Sequence, residues 1–416
     1  MHLTRRQFLA VSGHALVLAL LAGCGPASKP TAVPPMTIPT AAAPAPTAPP
    51  APATATSTPS PTASVAPTSG AADLENKIGQ MLMIGFRGAT VDDSSPIIQD
   101  IRSRNLGSVV LFDFDVDTAT PGRNIQSPSQ LRALTAALVE SATSPLLVAI
   151  DQEGGQVARL KPSNGFPATL SEQDLGRLKD IGKTLQNAET IGKMLTESGI
   201  NMDLAPVVDL NTNPDNPIIG KLGRSFSADP VVVARNAEAE IKGLHKYRVL
   251  STLKHFPGHG SSRTDSHLGF VDVTDTWSPP ELEPYRQLIA AGVCDAVMTA
   301  HIFNAKLDAD YPATLSNAII TGILRNELQW DGVVISDDMQ MGAITQHYGL
   351  DSAIEKAIEA GVDILAFGNN LPGSYDPNIA EKAIAIIKGL VNDGKISSSR
   401  IDQSLRRITA LKARLP

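Results

Sequence analysis

Only two cysteines, Cys24 and Cys294, occur in the 416 residues. If Cys24 is consumed near the N-terminus, Cys294 has no partner and a disulfide within the chain is excluded. Cys294 sits in Gly292-Val293-Cys294-Asp295-Ala296-Val297, an apolar stretch that reads as core. Basic charge is scarce as well. All 42 carboxylates lie after residue 72, whereas three of the 35 basic side chains (Arg5, Arg6 and Lys29) lie before it. The part that folds is therefore acidic, which argues against nucleic acid as a partner. No apolar run reaches the roughly 20 residues that a membrane-spanning helix needs.

The first 72 residues do not read as a folded domain. Residues 1–25 open with Thr4-Arg5-Arg6-Gln7-Phe8-Leu9, continue as an apolar run and end in Leu21-Ala22-Gly23-Cys24. A charged start, an apolar centre and small residues before a cut are the layout of an export signal. The arginine pair resembles a twin-arginine signal, with the general secretory route as the alternative. Leu-Ala-Gly-Cys resembles a bacterial lipobox, which implies a signal peptide over 1–24 and lipid on Cys24. Residues 26–72 are almost wholly Pro, Ala, Thr and Ser, with Lys29 as the single charge. Such a segment cannot bury apolar surface, and its prolines hold it extended. It reads as a disordered stalk over 25–72 that lifts a domain off a membrane, with a reach on the order of 100 Å at about 3 Å per residue.

From residue 73 to 416, strand-like apolar runs alternate with helical patterns. The strand candidates are 81–86, 108–112, 146–150, 201–210, 249–253, 296–301, 332–336 and 363–367. Helical patterns are clearest over 129–140, 185–198, 230–246, 280–291, 317–328, 350–360, 379–392 and 398–415. Strands that are apolar throughout and alternate with helices imply a parallel sheet buried on both faces. Eight such units predict a single (β/α)8 barrel of the TIM type. An open doubly wound sheet is the alternative, and no Gly-x-Gly-x-x-Gly follows the first strand to favour it.

A barrel of this kind builds its site at the C-terminal ends of its strands. Polar clusters follow the strand candidates closely: Asp151-Gln152-Glu153-Gly154-Gly155, 209–213, Lys254-His255, His301, Asp337-Asp338 and Gly368-Asn369-Asn370. The densest stretch is 254–270, KHFPGHGSSRTDSHLGF, read as a strand end opening into a long polar loop. Within it, Asp265 stands two residues before His267. A carboxylate so placed can orient an imidazole, fix its tautomer and stabilise its protonated form. Asp337 ends the seventh strand candidate, and a carboxylate there can attack an anomeric carbon and trap an oxocarbenium-like centre. Asp338 reads as a cap for the next helix. A retaining glycosidase also needs a group that protonates the leaving oxygen and then activates water. His267 can serve, since imidazole titrates near neutral pH. Ser261, Ser262, Thr264 and Gly269 read as a mobile loop that brings His267 to the leaving oxygen once a sugar binds.

The motifs Asp151-Gln152-Glu153-Gly154-Gly155, Gly223-Arg224-Ser225-Phe226, Lys254-His255-Phe256-Pro257-Gly258-His259-Gly260, Asp265-Ser266-His267 and Ser336-Asp337-Asp338-Met339 occur in that order. Together they resemble glycoside hydrolase family three, in its β-N-acetylglucosaminidase branch, over essentially all of 73–416. The resemblance implies Asp337 as nucleophile, His267 as acid/base and Asp265 as its partner. It implies sugar-binding roles for Asp151, Arg159, Arg224, Lys254 and His255. Read from the residues alone, His255 and His259 could each be a hydrogen-bonded histidine supporting the loop, and for His259 that structural role is favoured. It implies no metal and no cofactor. The expected substrate is a terminal β-linked N-acetylglucosaminide from peptidoglycan fragments or related glycans, handled by an extracytoplasmic, lipid-anchored protein. Gln156 and Ser227 depart from the family's usual residues and are expected to alter the edges of the sugar pocket. Some relatives draw a glutamate acid from a second α/β domain; the chain stops at Pro416, so the acid is expected from the barrel's own loops.

Two other readings remain open. A metal-dependent hydrolase would use His255, His259, His267, Asp265 and Asp337 as ligands, although Phe-Pro-Gly between the first two breaks the helix that would align them. A non-catalytic sugar-binding lipoprotein is the second, and it would be expected to lack the nucleophile or the acid.

Overall fold

Eight short parallel strands, each buried along its whole length, make the ring on which the chain is built. They are β1 (Leu82–Gly85), β2 (Ser108–Leu111), β3 (Leu147–Ile150), β4 (Met202–Asp203), β5 (Thr252–Phe256), β6 (Ala296–Thr299), β7 (Val333–Ile335) and β8 (Leu365–Phe367). The computed structural model describes residues 69–415. The export signal, Cys24 and almost all of the stalk lie outside the described residues.

The strands pair in the order β8-β1-β2-β3-β4 and β5-β6-β7, all parallel. Two seams close the ring. At one, Asp203 N donates to Leu250 O, Thr252 N to Ala205 O and Val208 N to Lys254 O, each at 2.8 Å. At the other, Ser336 N donates to Ile364 O at 2.9 Å and Ile364 N to Val334 O at 3.0 Å. The result is the (β/α)8 barrel expected from the alternating pattern. Its strands are apolar runs such as Leu-Val-Ala-Ile in β3 because both faces are covered, one by the barrel interior and one by helices.

Three elements differ from the sequence reading. The apolar run over 201–210 gives only the two residues of β4, and beyond Asp203 its pairing with β5 continues as single bridges rather than as a regular ladder. Strand β5 is displaced toward its C-terminus, so Lys254 and His255 lie inside the strand rather than at the start of a loop. The pattern over 317–328 forms a π-helix, Ala318–Glu327. The helix Pro96–Ser103 between β1 and β2 was not anticipated; it is short and starts with proline at its first turn, where a missing N–H costs nothing.

Structural charge gathers at the N-terminal ends of the strands. Asp363, fully buried below β8, accepts from Arg325 Nη2 (2.7 Å), the Ser404 hydroxyl (2.8 Å) and Val334 N (3.1 Å), and pairs with Arg400 and Arg407. Ser404 and both of these arginines belong to the last helix, Ser398–Lys412, which is thereby clasped to the barrel floor. On the same helix Lys412 is buried, and its Nζ donates to Gln80 Oε1 and Gly107 O, both at 2.7 Å. Neither acceptor carries charge, and burial brings the Lys412 pKa down from 10.5 to about 7.

The sign of the pH effect follows. The unfolded lysine keeps its proton up to about 10.5 and the folded one only to about 7, so the unfolded state binds more protons in between and stability rises with pH across that window. Thermal unfolding should therefore show a midpoint that climbs from pH 7 to pH 9. In Lys412→Met the climb should flatten, with the largest gain over the parent at pH 7. Equal pH slopes in the two proteins would show that Lys412 is not held deprotonated.

Candidate active site

The C-terminal rim of the barrel encloses a cavity of about 530 Å3 whose lining includes Asp151, Arg159, Arg224, Lys254, His255, His267 and Asp337. Seven of the eight carbohydrate-site residues named from sequence therefore meet in one place. The eighth, Asp265, stands behind His267. Gln156 and Ser227, expected at the pocket edges, do not line it, because Gln156 points to solvent and Ser227 serves the 209–229 backbone.

The polar wall is built on a buried ammonium. Lys254, only 1% exposed, sits in β5 with its Nζ 2.8 Å from Asp151 Oδ1 and 2.7 Å from Glu153 Oε1. Glu153 is equally buried and receives both arms of Arg224, Nε at 2.7 Å and Nη2 at 2.8 Å. Arg224 Nη1 also donates to Ile218 O at 3.1 Å, and Arg159 Nη2 reaches Asp151 Oδ2 at 3.4 Å. Burial alone would raise both carboxyls, but Lys254 and the arginines outweigh it and hold Asp151 and Glu153 below the usual carboxylate range. Burial likewise opposes the Lys254 charge, and the two carboxylates overcome it, raising its pKa. No role for Glu153 is legible in its motif, because its partners come from far along the chain, Lys254 from within β5 and Arg224 from the segment before the helix Pro230–Lys246.

A second carboxylate that sequence reasoning passed over sets His255. Buried Asp209 accepts His255 Nδ1 at 2.7 Å and the backbone N of His259 at 2.7 Å. The opposite ring atom, His255 Nε2, faces Arg224 Nη2 at 3.2 Å. A guanidinium only donates, so Nε2 is the bare nitrogen and Nδ1 carries the hydrogen. His259 is enclosed by Ser262 Oγ (2.6 Å, at Nδ1) and Ser266 Oγ (3.2 Å, at Nε2). Burial and the neighbouring His255 push its pKa down to about 4, so it stays neutral and props the loop. The next residue, Gly260, lies so close to the chain that a Cβ there would meet Leu210 O at 1.7 Å, which fixes where the loop leaves the barrel.

The loop carries His267, half exposed, with Nδ1 2.8 Å from Asp265 Oδ1, which also accepts the His267 backbone N at 2.9 Å. Burial works against the imidazolium, but the Asp265 hydrogen bond and the Asp337 charge prevail and raise its pKa. Nδ1 is engaged by Asp265, so Nε2 is the position from which a proton can move. The segment read as mobile is pinned to the chain beyond β7. Gly342 N donates to His267 O (3.2 Å), Ala343 N to Ser266 O (3.2 Å) and Gln346 Nε2 to Leu268 O (3.0 Å).

Asp337 follows β7 by two residues, and its Oδ1 accepts Asp338 N at 2.8 Å. Burial pushes its carboxyl up, while His301, His255, His267 and the Asp338 amide bring it below its ordinary value. His301 donates from Nε2 to Asp338 O at 2.9 Å; burial lowers its pKa, whereas that of His267 is raised. Asp338 does not cap a helix; its Oδ1 accepts Gln340 N at 3.0 Å in a tight turn, and burial raises its pKa to about 6.

This arrangement offers an ionised carboxylate and a proton-bearing imidazole on one cavity, beside a wall of paired charges suited to hydroxyl groups. The chain spans 61% of beta-hexosaminidase A of Pseudoalteromonas piscicida, to which it is 33% identical over 375 residues and 82% of its own length. It is 36% identical over 321 residues to a beta-hexosaminidase of Tolumonas auensis, with 75% of this chain and 86% of that one covered. Among solved structures, the glycoside hydrolase family 3 beta-N-acetylglucosaminidase of Paenibacillus sp. str. FPU-7 superposes with a TM-score of 0.74 at 37% identity, over 82% of this chain and 62% of that one. The family described as Glycosyl hydrolase family 3 N terminal domain matches residues 73–411. With nearly the whole barrel matched and the site residues gathered on its C-terminal rim, the chain belongs to glycosyl hydrolase family 3.

Proposed function

We propose that this protein is a retaining β-N-acetylhexosaminidase that removes terminal, non-reducing β-linked N-acetylglucosamine. The carrying observation is that Asp337 and the His267–Asp265 pair share one cavity with the Lys254–Asp151–Glu153–Arg224 wall. The names of its relatives favour the same activity. Asp151, Arg159, Arg224, Lys254 and His255 hold the sugar, the carboxylate accepting from hydroxyls and the cations donating to sugar oxygens. His267 Nε2–H protonates the glycosidic oxygen as Asp337 attacks the anomeric carbon, giving a covalent glycosyl ester. Neutral His267 then removes a proton from water, which attacks the same carbon and releases Asp337. Asp265 stabilises the imidazolium at each turn.

The natural substrate in this reading is a peptidoglycan fragment or related glycan outside the cytoplasm, met by a protein tethered through lipid on Cys24 and spaced by the Pro/Thr stalk. Leu21-Ala22-Gly23 before Cys24 supports the tether. Mass spectrometry of the native N-terminus should find acylated Cys24; a mature chain that starts elsewhere would remove the anchor.

Two measurements bear on the chemistry. Proton NMR of the first-formed product from a β-glycoside should show the β-anomer, and Asp337→Ala should lose nearly all turnover because no second nucleophile is positioned. An α-anomer would rule out the covalent route.

His267→Ala separates the two steps. On a disaccharide, whose leaving oxygen needs a proton, activity should fall on the order of 10²–10⁴-fold. On a nitrophenyl glycoside the first step should suffer far less, leaving water attack limiting, and azide should rescue it. Near-normal rates on both substrates would remove His267 from the mechanism.

A further inference from the structure

We propose that Phe114 and Val116, carried on a short hairpin at the cavity mouth, form a leaving-group subsite that receives the C–H face of a second sugar ring. This rests on the hexosaminidase reading above and adds what that reading leaves open, namely what the enzyme contacts beyond the cleaved bond.

The hairpin pairs Phe114–Asp115 with Thr120–Pro121 and lies outside the barrel ladder. Its backbone is held by charge beneath it. Asp115 accepts from Arg87 Nε at 2.6 Å and from the buried Arg123 Nη1 at 2.6 Å. Arg123 continues to Phe86 O (3.0 Å) and Asn369 O (2.7 Å). Asn370, just past β8, donates from Nδ2 to Phe114 O and accepts Val116 N, each at 3.0 Å. Both rim residues are thus fixed in the backbone by the same asparagine side chain.

Their side chains, in contrast, are left open, Phe114 40% and Val116 42% exposed. Phe114 from the hairpin strand and Val116 from its turn both line the cavity that also holds Asp337 and His267. The buried network gives no stability to these two side chains; it only presents them. Large apolar groups held rigidly in water at a cavity mouth mark a surface that is covered in the working state.

The cavity supplies the occupant. The ionic wall, from β3, β5 and the Arg224 segment, takes the hydroxyl-rich sugar that donates its anomeric carbon to Asp337. The group leaving from that carbon needs a lining outside this wall, and Phe114 and Val116 are exposed apolar members of the same cavity lining. A β-linked pyranose carries its hydroxyls around its edge and C–H groups on its faces. Such a face covers an aromatic ring well, and its hydroxyls stay in water. A methoxide leaving group is too small to reach the rim.

The test uses the full chain with two substrates, N,N′-diacetylchitobiose and methyl N-acetyl-β-glucosaminide. In Phe114→Ala, kcat/KM for the disaccharide should drop about three- to tenfold, while kcat/KM for the methyl glycoside stays at the parent value. Phe114→Trp, which keeps a flat apolar face, should retain the disaccharide rate. Equal losses on both substrates would show that Phe114 acts only through the structure, and an unchanged disaccharide rate would show that no ring rests on it; either overturns the subsite. A parent protein that cleaves neither substrate would instead overturn the hexosaminidase reading.

Discussion

Lys254 is the point on which the site depends. An ammonium enclosed in a barrel strand is far too costly to leave alone, and removing one partner of a buried pair leaves an uncompensated charge. Asp151 and Glu153 answer it from β3, and Glu153 in turn anchors Arg224. Each member therefore fixes the next. Strand β5 reaches one residue past His255 because the lysine it carries is satisfied, and Arg224 faces His255 because Glu153 holds both its arms. The geometry of the polar wall is set before any sugar arrives, which is how a rigid scaffold gains affinity without ordering side chains on binding.

The two ends of the barrel use buried charge for different ends. At the floor, Asp363 ties the last helix to β8, and its arginine partners are largely buried against protein. At the rim the charges sit on a cavity, and one of the two carboxylates on Lys254, Asp151, is left partly open to it. This division follows the general habit of these barrels, stability below and chemistry above. It also explains why the imidazoles differ so much in state. His259 and His301 are enclosed by neutral partners and pushed toward the uncharged form, while His267 faces two carboxylates and is pushed the other way.

What was legible in the sequence was what is local or periodic. The barrel followed from apolar runs alternating with helical patterns, and Asp265 with His267 was readable because the two residues are nearly adjacent. Glu153 and Asp209 were not singled out. A carboxylate has a role only through its partners, and those arrive from 71 and 46 positions away. The displaced β5 has the same origin. Lys-His-Phe looks like the start of a polar loop until the partners of the lysine are known. Asn370 was visible as a polar residue after a strand, but its hold on the hairpin spans 256 positions and has no trace in any short window.

The three bonds between the His267 loop and the segment after β7 have a mechanical meaning. The loop bearing the proton donor follows β5 and the attacking carboxylate follows β7, strands separated by β6 alone, and the two segments are linked directly across the top by main-chain carbonyls rather than through the wall. The spacing of these two segments is thus set by a short bridge of their own as well as by the strands beneath them. The two reacting groups are thereby braced together, facing a sugar-holding wall that is braced separately by its own ion pairs.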